Sequence, residues 1–206
     1  MTVPTIPGNM KRGRPRSEQV ERAILRAAAD LLAERGLAAM TIEDVAALAG
    51  VGKTSIYRRW STKGTLALDA FLVDFLAAQP LPDTGSLEGD LIVMLRAWVR
   101  TARETPTGRA LTELVAQAQS DPELAIAWSE RVVGPTRAQH RKVFERAIAR
   151  GEIPAASDVD VLMDLLFGPA YHRLLHKHLP LSDRFIRRVV AVIVAGAKTG
   201  AAAPAS

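Results

Sequence analysis

Apolar positions recur every three to four residues along most of this 206-residue chain, which is the spacing of amphipathic helices. The pattern is clear at Val20, Ile24 and Leu31, and it returns at Leu91 and Leu95. No segment alternates apolar and polar residues for long enough to predict a strand. We therefore expect an all-α protein of about nine helices.

Two short helices joined by a tight turn are predicted over residues 41–60. Thr41 can cap the first helix, and Gly50 suits the left-handed conformation that ends it. The first helix is expected to bury one face, formed by Val45, Leu48 and Ala49. The second helix begins near Gly52 and has apolar residues only at Ile56 and Trp60, so most of its surface is polar and basic.

This arrangement is typical of a helix-turn-helix, whose second helix enters the major groove of DNA. An ordinary helical hairpin is the alternative interpretation. Base-edge contacts are expected from Lys53, Thr54, Ser55 and Arg58, and phosphate contacts from Tyr57 and Lys63. Thr41, at the start of the first helix, is a further candidate DNA contact.

The residue string in this region is more specific than the general pattern. Ala-Gly-Val-Gly-Lys-Thr-Ser-Ile-Tyr-Arg-Arg-Trp at residues 49–60, followed by Ser61-Thr62-Lys63, closely resembles the signature of the TetR/AcrR family of bacterial transcriptional regulators. The resemblance covers roughly residues 17–78. It departs from the family pattern at Gly64, where an acidic residue is usual, and we expect the helix to fray slightly there.

The resemblance implies a homodimer that binds a palindromic DNA operator, with repression as the expected sign of control. It also implies that a small apolar or amphipathic effector binds the C-terminal part and releases the DNA. A constitutive architectural DNA-binding protein without an effector is the alternative. The sequence divides into a basic arm at 1–16, expected to be disordered, a DNA-binding head at 17–78, a ligand-binding and dimerisation body at 87–198, and a disordered tail at 199–206.

Charge supports the same division. Residues 1–63 carry 11 Lys and Arg against 6 Asp and Glu, whereas residues 64–206 carry 16 of each sign, so the net charge of +5 lies in the N-terminal third. Binding to the phosphate backbone requires such a basic region. Arg12, Arg14 and Arg16 form a cationic arm that could enter an A·T-rich minor groove or add only nonspecific attraction. A helix that precedes the helix-turn-helix is expected to begin after this arm, with Ser17 as its cap.

Two sets of apolar residues in the body are candidate binding surfaces. Trp98, Trp128, Phe167 and Tyr171 are tentative pocket residues, because few aromatics occur in this chain and helices of such folds converge around apolar cavities. The last helix is apolar around more than half of its circumference. A dimer interface is therefore predicted there, with Phe185, Val189, Val192 and Ile193 in it, unless the helix is buried within its own chain.

Other classes of function find little support. The chain has no cysteine and no motif of a nucleophile, a phosphate loop or a zinc protease, so we expect no enzyme, no catalytic residue and no cofactor. His172 and His176 could share a metal with His178, but histidines are also common at a helix end, and we expect no metal site. The longest apolar run, at 189–197, is too short to span a bilayer. We therefore expect a cytoplasmic protein without a membrane partner.

Overall fold

The computed structural model describes residues 14–75 and 79–199, with side chains from residue 17 onward. These residues form ten α-helices and one π-helical turn, and none of them is in a strand. The helices of the N-terminal part are α1 (Arg14–Ala39), α2 (Ile42–Ala49), α3 (Lys53–Tyr57) and α4 (Lys63–Phe75). Those of the body are α5 (Leu87–Glu104), α6 (Pro106–Ala118), α7 (Pro122–Trp128), α8 (Gly134–Ala149), α9 (Val159–His176) and α10 (Asp183–Lys198). The prediction of an all-α fold is confirmed.

The first helix begins earlier than expected. Residues 14–16 belong to α1, so the predicted arm is not extended up to Ser17 and Ser17 is not the helix cap. Instead, the Ser17 hydroxyl accepts a hydrogen bond from Arg59 at 2.8 Å. Gly36 interrupts α1 with φ 79°, and the chain makes one further turn before α2.

The small core of the head forms where α1, α2 and α4 meet. Its buried members include Ile24, Leu31, Met40, Val45 and Ile56. Leu48 was expected on the inner face of α2, but it is exposed. The buried positions of this short helix are Ile42, Val45 and Ala46, and Ala49 packs partly against the same core.

In the body, most helices begin at a side-chain cap. Ser86, Asp121, Asp158 and Ser182 each accept a hydrogen bond from the third residue that follows, at the start of α5, α7, α9 and α10. α5 packs against α6, α8, α9 and α10, and it is therefore the central helix of the body.

α7 and α8 are joined by a π-helical turn and not by a simple kink. A π-helical turn, Ser129–Val133, joins the two helices, and the Gly134 N–H donates to the carbonyl of Ser129, five residues back. Pro135 lacks an N–H and would disturb a regular helix. The wider turn accommodates it and keeps the helical path continuous.

Head and body meet along α1, which packs on α6, and along α4, which packs on α6 and α7. The fraying expected at Gly64 is not observed, because Thr62 caps α4 by accepting from the Thr65 N–H at 3.1 Å. A Cβ added at Gly64 would lie 3.3 Å from Leu124 Cδ2 and 3.5 Å from Asp121 Oδ2. Glycine therefore lets α7 approach the start of α4 closely, and an acidic side chain at this position would meet Asp121.

Candidate functional site

The turn between α2 and α3 has the predicted geometry. Thr41 Oγ1 accepts from the Asp44 N–H at 3.1 Å, and its hydroxyl donates to the Asp44 carboxylate at 2.8 Å. Gly50 takes a left-handed conformation with φ 66° and ψ 35°. α3 then starts after Gly52, which fixes the angle between the two helices.

α3 and the three residues after it, 58–60, have one buried and one exposed face. Ile56 and Trp60 are buried against the head core. The residues expected to face DNA lie on the other side, with Lys53, Thr54, Tyr57 and Arg58 exposed and Ser55 half-buried. Their placement on one surface is what a recognition helix requires.

Lys53 is already paired within the head. Its ammonium lies 2.8 Å from a carboxylate oxygen of Glu43. The hydrogen bond lowers the pKa of Glu43 and raises the pKa of Lys53. A DNA phosphate or base would have to compete with Glu43 for this lysine.

Lys63 lies at the junction of α4 with the end of α1. Its ammonium donates to the carbonyl oxygens of Leu37 at 2.8 Å and Ala38 at 3.3 Å. An ammonium has three N–H donors, so one remains for a phosphate.

Replacing Lys63 by Ala is therefore expected to have two effects. The variant should lose about 1 kcal/mol of stability with the two carbonyl bonds. It should also bind all DNA sequences more weakly, with the slope of log affinity against log salt smaller by about one unit. Thermal unfolding and DNA titrations at several salt concentrations measure the two effects separately, and a change in base preference would contradict a phosphate contact.

The basic arm is only partly within the described residues. Arg12 lies outside them, and Arg14 and Arg16 belong to the first turn of α1, with side chains that also lie outside. Contact of this arm with the minor groove stays a prediction.

The body holds a cavity of about 340 Å³ between α5, α7, α8 and α9. All four aromatic residues expected at a pocket, Trp98, Trp128, Phe167 and Tyr171, line it. Trp98 lies 4.7 Å from Tyr171 and 6.3 Å from Phe167, measured between ring centroids. Burial raises the pKa of the Tyr171 hydroxyl to about 12, so this group stays protonated.

Sequence reasoning missed the polar wall of this cavity. Thr136, Arg137 and His140 on α8 line it. His140 is only 2% exposed and stacks on Phe167 at 5.1 Å, and burial lowers its pKa to about 4, so it is neutral at pH 7. One feature of the sequence could have indicated that His140 is buried. Phe144, which is buried, follows four residues later and therefore lies on the same face of the helix.

A second apolar surface lies between α9 and α10. Val161, Leu165 and Val192 are exposed there, Val192 to 73%, around a groove of about 440 Å³. Of the residues expected at a dimer interface, Val189 and Val192 line this groove, whereas Phe185 is buried in the chain's own core. Ile193 lines the groove but is only 4% exposed, so it is chiefly a core residue. Phe185 and Ile193 therefore pack chiefly within their own chain, and the place of all four residues in a dimer interface stays a prediction.

The three histidines near the end of α9 are close to one another. The ring of His172 lies 4.6 Å from that of His176 and 4.9 Å from that of His178. Even so, no group of three or more metal-ligating side chains within 17–75 and 79–199 has an arrangement that could hold a metal ion. Within the same described ranges, no helix is long and apolar enough to cross a membrane.

A helix-turn-helix with an exposed polar recognition helix, carried on a larger helical body, defines a DNA-binding transcription regulator. Residues 24–70 match the family model described as bacterial regulatory proteins, tetR family, and residues 81–193 match the model of the tetracyclin repressor-like C-terminal domain. The chain belongs to the TetR family of transcriptional regulators. Its relatives are regulators and not enzymes.

Relatives and solved structures agree with this assignment over most of the chain. It is 38% identical over 182 residues to the HTH-type transcriptional regulator YdeS of Bacillus subtilis, covering 87% of this chain and 90% of that one. It is 33% identical to the DNA-binding transcriptional repressor TetR of Mycobacteroides abscessus, covering 85% and 92%. The solved structure of the TetR family transcription regulator SCO0332 superposes with a TM-score of 0.77 at 38% identity, covering 86% of this chain and 98% of that one.

Proposed function

We propose that this protein is a ligand-responsive repressor that binds a palindromic operator as a homodimer. A small molecule in the aromatic cavity of the body releases it from DNA. Repression, as opposed to activation, is supported by the relative from Mycobacteroides abscessus, which is named a repressor. Because its target is DNA, we place its action in the cytoplasm.

The observation that carries this proposal is the physical link between the cavity and the recognition helix. Trp60, just beyond α3, donates from its indole Nε1 to Asp69 on α4 at 2.8 Å. The other oxygen of Asp69 lies 2.8 Å from Arg131. Arg131 belongs to the π-helical turn, and the next two residues, Val132 and Val133, line the cavity.

Aromatic packing provides a parallel connection. Phe71 on α4 stacks on Phe75 at 4.6 Å and lies 5.8 Å from Trp128. Phe75 and Trp128 both line the cavity. α4 therefore contacts the ligand space at one end and the DNA-binding head at the other.

Ligand binding can act on DNA through this link only if it favours one arrangement of α4 over another. A ligand that displaces the π-helical turn would shift Asp69 and, with it, the position of α3. In a dimer, the spacing of the two recognition helices must match successive major grooves. A small displacement in each protomer would therefore lower operator affinity.

The test of this function is selection of bound sequences from random DNA duplexes by the purified protein. We expect enrichment of two inverted half-sites, as required by a two-fold symmetric dimer. Weak sequence preference with strong bending of the DNA would indicate the architectural binder instead.

Replacing Arg131 by Gln is expected to uncouple the two sites. The variant should bind operator like the parent, and its stability should change by less than about 1 kcal/mol, since exposed ion pairs contribute little. The loss of operator affinity caused by a bound effector should become several times smaller. Operator titrations with and without effector measure this coupling.

Arg96→Gln is the matched control for this variant. Arg96 forms a comparable exposed ion pair, with Asp183 at 2.5 Å, but it does not line the cavity. Equal coupling in the two variants would show that the Asp69–Arg131 pair does not carry the signal.

A further inference from the structure

The charged groups beside the cavity neutralise one another. Arg137 lies 2.8 Å from Asp160 and also pairs with Asp164, and Arg141 lies 2.7 Å from Asp160. The hydrogen bonds that Arg137 donates to Asp160 and Asp164 raise the pKa of Arg137. Two cations and two anions therefore balance. A charged ligand would lose its hydration in the cavity without finding an unpaired charge of opposite sign.

Two polar side chains on the same face of α8 remain without partners. The Thr136 hydroxyl oxygen is shielded from solvent and makes no hydrogen bond. His140 follows four residues later, and among the described residues its ring makes an aromatic contact with Phe167 but no hydrogen bond. An unpaired hydroxyl that is shielded from solvent is costly, which favours a ligand that bonds to Thr136, and His140 lines the same cavity.

A hydroxyl group fits these two partners well. A neutral imidazole has one donor and one acceptor nitrogen, and a threonine hydroxyl can donate or accept. A ligand hydroxyl can accept from one of them and donate to the other, whichever imidazole nitrogen carries the proton. It would complete both hydrogen bonds without bringing a charge into the cavity.

The remaining walls select for shape. The rings of Phe75, Trp98, Trp128, Phe167 and Tyr171 surround the space, and such rings favour offset or edge-to-face contact with another aromatic ring. The volume of about 340 Å³ is near the lower end of the range for small-molecule sites, about 300–1,000 Å³. This size suits a compact compound and not a long acyl chain.

We propose that this cavity binds an uncharged, planar aromatic compound of one or two rings whose hydroxyl group bonds to Thr136 and His140. This inference rests on the proposed function, in which the same cavity is the effector site. It adds the chemical class of the ligand and the two residues that recognise its polar group.

The experiment is equilibrium dialysis of the full-length protein at pH 7 against three matched probes: naphthalene, 2-naphthol and 2-naphthoate. 2-Naphthol should bind about five- to tenfold more tightly than naphthalene, which is the net effect of the two hydrogen bonds after the hydroxyl has given up its bonds to water. 2-Naphthoate should bind at least about tenfold more weakly than 2-naphthol, because its charge would be desolvated without a partner.

Thr136→Val tests the recognition directly, since valine keeps the shape of threonine and removes the hydroxyl. In this variant the preference for 2-naphthol over naphthalene should fall to about threefold or less, because only the bond to His140 remains, and the affinity for naphthalene should not fall. Thr112→Val is the matched control, because the Thr112 hydroxyl bonds to the Arg109 carbonyl on α6, away from the cavity. Circular dichroism of both variants checks their folding.

The proposal is overturned if 2-naphthoate binds most tightly, if none of the probes binds the parent protein, or if Thr136→Val keeps the full preference for 2-naphthol. Operator release is measured separately with the same probes. If 2-naphthol binds as described but leaves operator affinity unchanged, the ligand class holds and effector control fails. If 2-naphthoate binds best and releases DNA, effector control holds and the ligand class fails.

Discussion

Introducing Leu165→Glu and Val192→Glu together is expected to convert the proposed homodimer into a folded monomer. Both side chains are exposed in the single chain and lie on the apolar groove between α9 and α10. We propose that the dimer forms through this groove, so the two substitutions would bring four carboxylates into the interface, at a cost of several kcal/mol. Because a monomer contacts only one half-site, operator affinity should fall by more than about 100-fold.

Sedimentation and circular dichroism together decide this prediction. Loss of the dimer with unchanged helix content would support the interface, and an unchanged dimer would place it elsewhere. Ile126→Glu is the control, because Ile126 is 60% exposed on α7, outside the groove, and the change should leave the dimer intact. Ile193 is unsuitable for such a test, since a charge at this core position would unfold the chain itself.

Replacing Arg58 by Ala is expected to lower affinity for the selected operator by about ten- to 100-fold, the usual effect of one base contact. The Arg58 side chain is exposed directly after α3 and, among the described residues, no ion pair or hydrogen bond occupies its guanidinium. It is therefore free to reach a base edge. Sequence preference should relax at one position of each half-site, while the melting temperature stays nearly unchanged.

The adjacent Arg59 provides an internal comparison. It is largely buried and donates to the carbonyl and hydroxyl of Ser17 and to the Ser55 carbonyl. Arg59→Ala should therefore lower the stability of the head, and DNA affinity only as a consequence. If Arg58→Ala reduced binding to every sequence equally, Arg58 would be a phosphate contact and not a base contact.

The local sequence determined the helix-turn-helix and most helix boundaries. Thr41, Gly50 and Gly52 act through their own backbone and the next few residues, so their roles could be predicted without knowledge of distant contacts. The same holds for the caps at Asp121 and Asp158, whose side chains bond to an N–H three residues later. These interactions connect neighbours in sequence, where spacing alone defines geometry.

Positions that depend on packing between helices were decided only by the tertiary structure. Polar residues at Thr136 and His140 are typical of a surface, yet α9 covers them and makes them the wall of a cavity. Gly64 suggested a weak helix start, but its missing side chain makes room for α7. Lys63 bonds to carbonyls 25 and 26 residues away. Hydrophobic periodicity shows which face of a helix is buried, but it cannot show which helix covers that face, and so the site between the helices was beyond prediction from sequence.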